Sequence, residues 1–130
     1  MTNGRVMRCE LEADLAEVGT ARRFVRTNLV DVPGSLNADV QLIASELVTN
    51  AVEHGKGDRV AFALWCDQGA VALTVESIGP APNVGEVDEW EVAPAEQITG
   101  RGLGIVRSIA DRVEVSRRNG RLVITARMAF

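Results

Sequence analysis

The sequence contains no tyrosine, and aromatic side chains make up only 4% of its 130 residues. The flat platforms on which single-stranded nucleic acids stack their bases are therefore nearly missing. Positive charge is not in excess either. Fourteen basic against 18 acidic side chains leave a net charge of −4, which gives no bulk attraction to nucleic acid or to an anionic membrane. Only two cysteines occur, Cys9 and Cys66, in neither a CxxC nor a metal-ligand spacing; two buried free thiols are expected, with a disulfide as the alternative. With no run of 18 apolar residues and no apolar stretch of signal-peptide type at the N-terminus, the chain reads as cytoplasmic and reducing. Repeats, low-complexity tracts and linkers are absent. What remains, 46% hydrophobic and 25% charged residues, suits one domain spanning 1–130 around a single core.

The segment "VMRCEL" (6–11) alternates weakly and is expected as a first strand. Leu15, Val18, Phe24, Val25 and Leu29 recur at helical spacing from Asp14 to Leu29, with Asp14 as the N-cap. "DVPGSLNAD" is a connection, after which Ser35 or Asn37 begins the longest helix, ending at His54 before "GKGD". "RVAFALWC" (59–66) and "AVALTVES" (70–77) are β-branched apolar runs joined by "DQGA" and read as a hairpin. Residues 79–101 carry three prolines, three glycines and five acids; a loop this long in a compact domain is usually disordered or functional. "GLGIVRSIADRV" then gives a short amphipathic helix, and "VEVSRRNGRLVITARMAF" a second hairpin about "NG". Antiparallel strand pairs with helices between them imply an α+β two-layer sandwich, a mostly antiparallel sheet covered on one face by helices.

Chemistry concentrates in "ELVTNAVEHG" (46–55). At 100° per residue from Glu46, Asn50 falls at about 40° and Glu53 at about −20°, while Ile43, Leu47 and Ala51 spread over about 60° to 140°. His54, at about 80°, borders both groups. Glu46, Asn50 and Glu53 thus form a polar stripe beside the buried face, either the wall of a cleft or a solvated helix edge. In a cleft, the glutamate can take a proton from an attacking hydroxyl. The asparagine amide oxygen is a hard neutral ligand suited to magnesium. "GRGLGIV" (100–106) is a glycine-rich loop running into a helix. Gly100, Gly102 and Gly104 would admit a ligand close to the backbone, the helix N-terminus offers unpaired N–H groups to phosphate, and Arg101 and Arg107 add positive charge.

In this order and separation, the two stretches resemble the N-box and second glycine box of the GHKL ATPase superfamily. Across roughly residues 8–128 the chain is similar, more narrowly, to the anti-sigma-factor serine kinases of bacterial sporulation and general-stress switches. The resemblance implies a Bergerat-type ATP-binding fold with ATP and magnesium as cofactors. Glu46 would activate the acceptor serine of a STAS-type anti-anti-sigma protein and Asn50 would hold magnesium. Glu53 and His54 would line the ATP site, Gly100, Arg101, Gly102, Leu103 and Gly104 would contact phosphates, and residues 83–99 would form a lid. The other implied partners are a sigma factor, sequestered by partner switching, and a second copy of the chain. Arg22 and Arg23 on the first helix are candidates for partner contact, and apolar positions on the same helix for a homodimer seam.

The first glycine box departs from the family. Where it has an aspartate that reads the adenine amino group, "ESIGPAP" has Ser77, with Gly79 in its expected place and Glu76 one residue early. Neighbours in a strand face opposite sides, so Glu76 cannot substitute without a bulge. Replacing a charge-assisted bond by a neutral one costs about 1–2 kcal/mol, roughly ten-fold in affinity. Glu86, Asp88, Glu89, Glu91 and Glu96 add negative charge to the expected lid. These departures define the competing expectation, a module of the same fold that acts by protein contacts with weak or no nucleotide binding. A chaperone, topoisomerase-type or histidine-kinase machine is not expected, because 130 residues leave no room for its further segments.

Overall fold

A computed structural model describes residues 4–55, 57–78, 102–118 and 121–130. Its elements follow in order: β1 (Arg5–Glu12), a 3₁₀ turn (Leu15–Glu17), α1 (Val18–Asn28), α2 (Gly34–His54), β2 (Arg59–Cys66), β3 (Ala70–Ile78), α3 (Gly102–Ile109), β4 (Arg112–Arg118) and β5 (Arg121–Ala129). The five strands form one antiparallel sheet in the order β1-β2-β3-β5-β4. The expected α+β sandwich is what the chain adopts.

Period-two alternation sets the two faces of the sheet. On β2, Val60, Phe62, Leu64 and Cys66 are buried while the residues between them are partly exposed. On β3 the buried set is Val71, Leu73, Val75 and Ser77, and on β5 it is Leu122, Ile124, Ala126 and Met128. These side chains meet Val40, Ile43, Leu47 and Ala51 of α2, Val25 of α1 and Val106 of α3 in one core. Phe24 of α1 meets Phe62 edge-on, with ring centroids 5.6 Å apart. Buried apolar side chains stabilise by about 1.5–3 kcal/mol each, so the sheet's inner face holds the helices in place.

Both helix starts differ from expectation. Asp14 caps the 3₁₀ turn, accepting from the Ala16 N–H at 3.0 Å, and α1 proper begins only at Val18. α2 begins at Gly34 after Pro33, whose carbonyl accepts the Asn37 N–H at 2.9 Å. Asn37 is not the cap. Its Nδ2 donates to the Leu29 carbonyl at 2.9 Å and its Oδ1 accepts from Gln41 at 2.8 Å, tying α2 to the end of α1. The expected homodimer seam on α1 does not present an apolar surface: Ala21 and Val25 are buried against the core, and the outward positions are Arg22, Arg23, Arg26 and Thr27.

The first hairpin turns as expected. Asp67 Oδ1 accepts the N–H groups of Gly69 and Ala70 at 2.8 and 2.9 Å. The "NG" of the second hairpin and the proposed lid lie outside the described residues. Cys9 and Cys66 are free thiols. Cys9 stands opposite Phe62 and Cys66 opposite Arg5, at different levels of the β1–β2 ladder, and burial pushes the Cys9 thiol above its usual range, which keeps it protonated and unreactive. Among the described residues, no helix is long and apolar enough to cross a membrane.

Candidate functional site

α2 tolerates its polar residues because each returns a hydrogen bond to the preceding turn. Ser45 Oγ donates to the Gln41 carbonyl at 3.0 Å, Thr49 Oγ1 to the Ser45 carbonyl at 2.7 Å, and Asn50 Nδ2 to the Glu46 carbonyl at 2.9 Å. Such back-bonding satisfies the donor but says nothing about the second polar atom of the asparagine. Asn50 is 2% exposed. Because Nδ2 must face the Glu46 carbonyl, Oδ1 points the other way, and among the described residues it accepts no hydrogen bond. No fully buried side-chain oxygen in the described structure is left unpaired, so this oxygen keeps an opening. Glu46, one turn earlier, is half-buried beside it.

The stripe is graded in depth. Asn50 is buried, Glu46 and His54 are intermediate, and Glu53 is exposed. The helical wheel puts Glu46, Asn50 and Glu53 on one side. It does not separate their depths, which depend on the elements packed above the helix. α3 packs directly against α2, sending Val106 into the shared core. The end that begins at Gly102 is thus on a helix in contact with the one that carries Glu46 and Asn50. A Cβ added at Gly104 would meet nothing within 4 Å, so the space beside that backbone is open. Leu103 lies in α3, and its side chain, like Gly79, Gly100 and Arg101, is outside the described residues.

The C-terminal end of α2 and the end of β3 are pressed together. A Cβ on Gly55 would fall 2.5 Å from the Ala51 carbonyl oxygen and 2.5 Å from Ser77 Cβ. On Gly57 it would fall 2.0 Å from the Ile78 carbonyl oxygen. The two glycines of "GKGD" therefore do more than break the helix: without them the chain could not cross the end of β3 this closely.

Ser77 itself is 1% exposed, and its Oγ accepts the Leu122 N–H at 3.0 Å. The hydroxyl extends the β3–β5 ladder one step past its last paired residues, Glu76 and Val123. Glu76 faces the opposite side, as the alternation requires. The β2–β3 register runs unbroken from Arg59–Ile78 to Cys66–Val71, and the Glu76 carboxylate pairs with Arg121 at 3.6 Å on the open face.

Arg117 is the one charged residue of this corner that the sequence motifs did not single out. It lies on β4 opposite Leu122 and donates to the His54 carbonyl at 3.5 Å, where a cation complements the C-terminal end of α2. An odd position among the inward residues of "VEVSRR" was the only available signal.

The donor set fits a magnesium ion only in part. Among the described residues no three histidine, cysteine or acidic side chains cluster, so no all-protein cage exists there. Asn50 Oδ1 supplies one hard neutral oxygen, and magnesium commonly takes one or two protein ligands and completes its shell with water and phosphate oxygens. A large open hollow, about 870 Å³, is elsewhere, between Glu10–Leu15, Val52 and Asp58–Arg59, and holds none of the predicted site residues. Arg22 and Arg23 stand exposed on α1, away from the α2 edge.

An α+β sandwich with a long helix carrying a Glu and an Asn one turn apart, packed against a glycine-opened helix, defines a nucleotide-binding ATPase class. The profile of the histidine kinase-like ATPase domain matches residues 11–128, and the chain belongs to that family. No curated protein matches it.

Proposed function

We propose that this domain binds Mg·ATP and transfers the γ-phosphoryl group to a serine of a STAS-type anti-anti-sigma protein, alternating this with sequestration of a sigma factor in the cytoplasm, as a homodimer. The observation that carries the reading is the unpaired Oδ1 of buried Asn50 beside the half-buried Glu46 carboxylate. A magnesium ion, when bound, supplies charge neutralisation to the phosphates. Asn50 Oδ1 holds that ion in place. Glu46 accepts the proton of the acceptor serine hydroxyl, a role for which a carboxylate within reach of the hydroxyl suffices. The N–H groups opening α3 receive phosphate oxygens, and positioning with charge neutralisation is most of what phosphoryl transfer asks of a protein. Arg22 and Arg23 of α1 offer an exposed cationic surface to the protein partners.

Incubation with Mg·ATP labelled at the γ-phosphate and a STAS-type protein should place label on one serine of that protein. A second reading has a specific observation behind it. The Ser77 oxygen is engaged by the Leu122 N–H and offers no carboxylate to a base, which favours a module acting through protein contacts alone. Absence of label at millimolar Mg·ATP, with no rise in melting temperature, would select that reading, since a ligand confined to the native state must stabilise it.

A further inference from the structure

The described helices all lie on one face of the sheet, and the opposite face presents a regular grid. One row across the strands reads Arg8, Ala63, Thr74, Thr125 and Glu114. The next reads Val6, Trp65, Ala72, Arg127 and Arg112. The centre is floored by small side chains, with Thr74 and Thr125 hydroxyls 3.3 Å apart. Beside them, Ala61, Ala63 and Thr74 lie in a shallow hollow of about 390 Å³ bounded by Arg8, Glu10 and Glu76.

From this grid we infer that the open face is the seat of a second copy of the chain, packed sheet to sheet about a two-fold axis along β3. The inference takes the existence of a second copy from the function proposed above, and its place from the sheet alone. A half-turn about β3 lays β1 of one copy over β4 of the other. Arg8, which no carboxylate pairs among the described residues, then comes over Glu114 of the second copy. Trp65 comes over Arg127 of the second copy, a residue whose guanidinium already lies 5.5 Å from the Trp65 ring within one chain. Ala61 and Ala63 receive Val123 and Thr125, so branched side chains fill the hollow. Ala72 and Thr74 meet their own equivalents on the axis, where small groups let the backbones approach. Glu76 also meets itself, and its own Arg121 at 3.6 Å offsets the repulsion.

Two features favour a second copy over an unlike partner. The face carries both signs of charge in near balance, whereas the whole chain is at −4, so it offers no field to a strongly acidic or basic protein. An isologous contact also requires each patch to complement itself, and of the in-plane axes the one along β3 brings opposite charges together. The axis across the strands would set Arg8 on Arg8 and Glu114 on Glu114. Five strands about 4.8 Å apart and eight residues at about 3.3 Å each give a footprint on the order of 600 Å² before side-chain relief, near the roughly 800 Å² per partner of a standard interface.

Sedimentation equilibrium of the full chain should give twice 14.0 kDa. Thr74→Arg, placing two cations on the axis, should weaken the dimer at least 100-fold. Arg8→Glu and Glu114→Arg should each weaken it about ten-fold, and the double variant should recover most of that loss, an outcome that misfolding would not produce. A monomeric wild type overturns both the homodimer and this surface. A dimer indifferent to Thr74→Arg and to the charge exchange overturns this surface alone and leaves the homodimer with another seam.

Discussion

Asn50 and Ser77 are buried to nearly the same degree, 2% and 1% exposed, and occupy the two ends of the expected nucleotide site. They spend their polar atoms differently. Asn50 satisfies its nitrogen within its own helix and keeps its oxygen unpaired, whereas Ser77 gives its oxygen to the Leu122 backbone. The end of the site that would handle phosphate and metal keeps a reactive oxygen next to a carboxylate. The end that would read the base has been absorbed into the sheet. Burial alone therefore does not separate a ligand-binding polar residue from a structural one; the fate of each lone pair does.

The largest effect on this contrast is expected from Glu46→Ala, which should lower phosphotransfer by at least about 100-fold while ATP affinity changes little, as read by single-turnover labelling and calorimetry on the same sample. Loss of both in a folded protein would move Glu46 from proton acceptor to ligand or scaffold. Next comes Gly55→Ala, which forces a Cβ within 2.5 Å of the Ala51 carbonyl and of Ser77. The overlap is with backbone and should destabilise by about 1–3 kcal/mol, visible in chemical denaturation and leaving the α2 carboxylate chemistry intact in the folded fraction. The smallest is Ser77→Asp. One carboxylate oxygen can keep the Leu122 N–H and the other can face the base, so Mg·ATP affinity should rise about ten-fold; weaker binding would show that residue 77 lies away from the base.

The sheet was the most legible part of the molecule. "RVAFALWC" and "AVALTVES" alternate because one face of each strand is packed and the other is not, and that pattern survives without knowledge of neighbours. Helix starts were less legible. Asp14 and Asn37 both look like caps, but the first is taken by a 3₁₀ turn and the second bonds across to Leu29, choices made by the route of the chain and not by local preference. At the site, the angle between Glu46 and Asn50 followed from helical geometry, and the family resemblance supplied their roles. What Ser77 and Arg117 do was not readable, since both depend on the pairing of β3, β5 and β4, fixed by contacts distant in sequence. The glycines of "GKGD" read as a helix stop, and their second task became visible only with Ser77 and Ile78 against them.

Calorimetric titration of Mg·ATP, and of ATP with magnesium chelated, into the wild type and Asn50→Ala tests most directly whether the α2 edge is a nucleotide site. Saturable binding by the wild type that weakens on chelation, with Asn50→Ala losing the magnesium-dependent part, is the expected result. No heat of binding from the folded wild type, or the same magnesium dependence without the Asn50 amide, would contradict it.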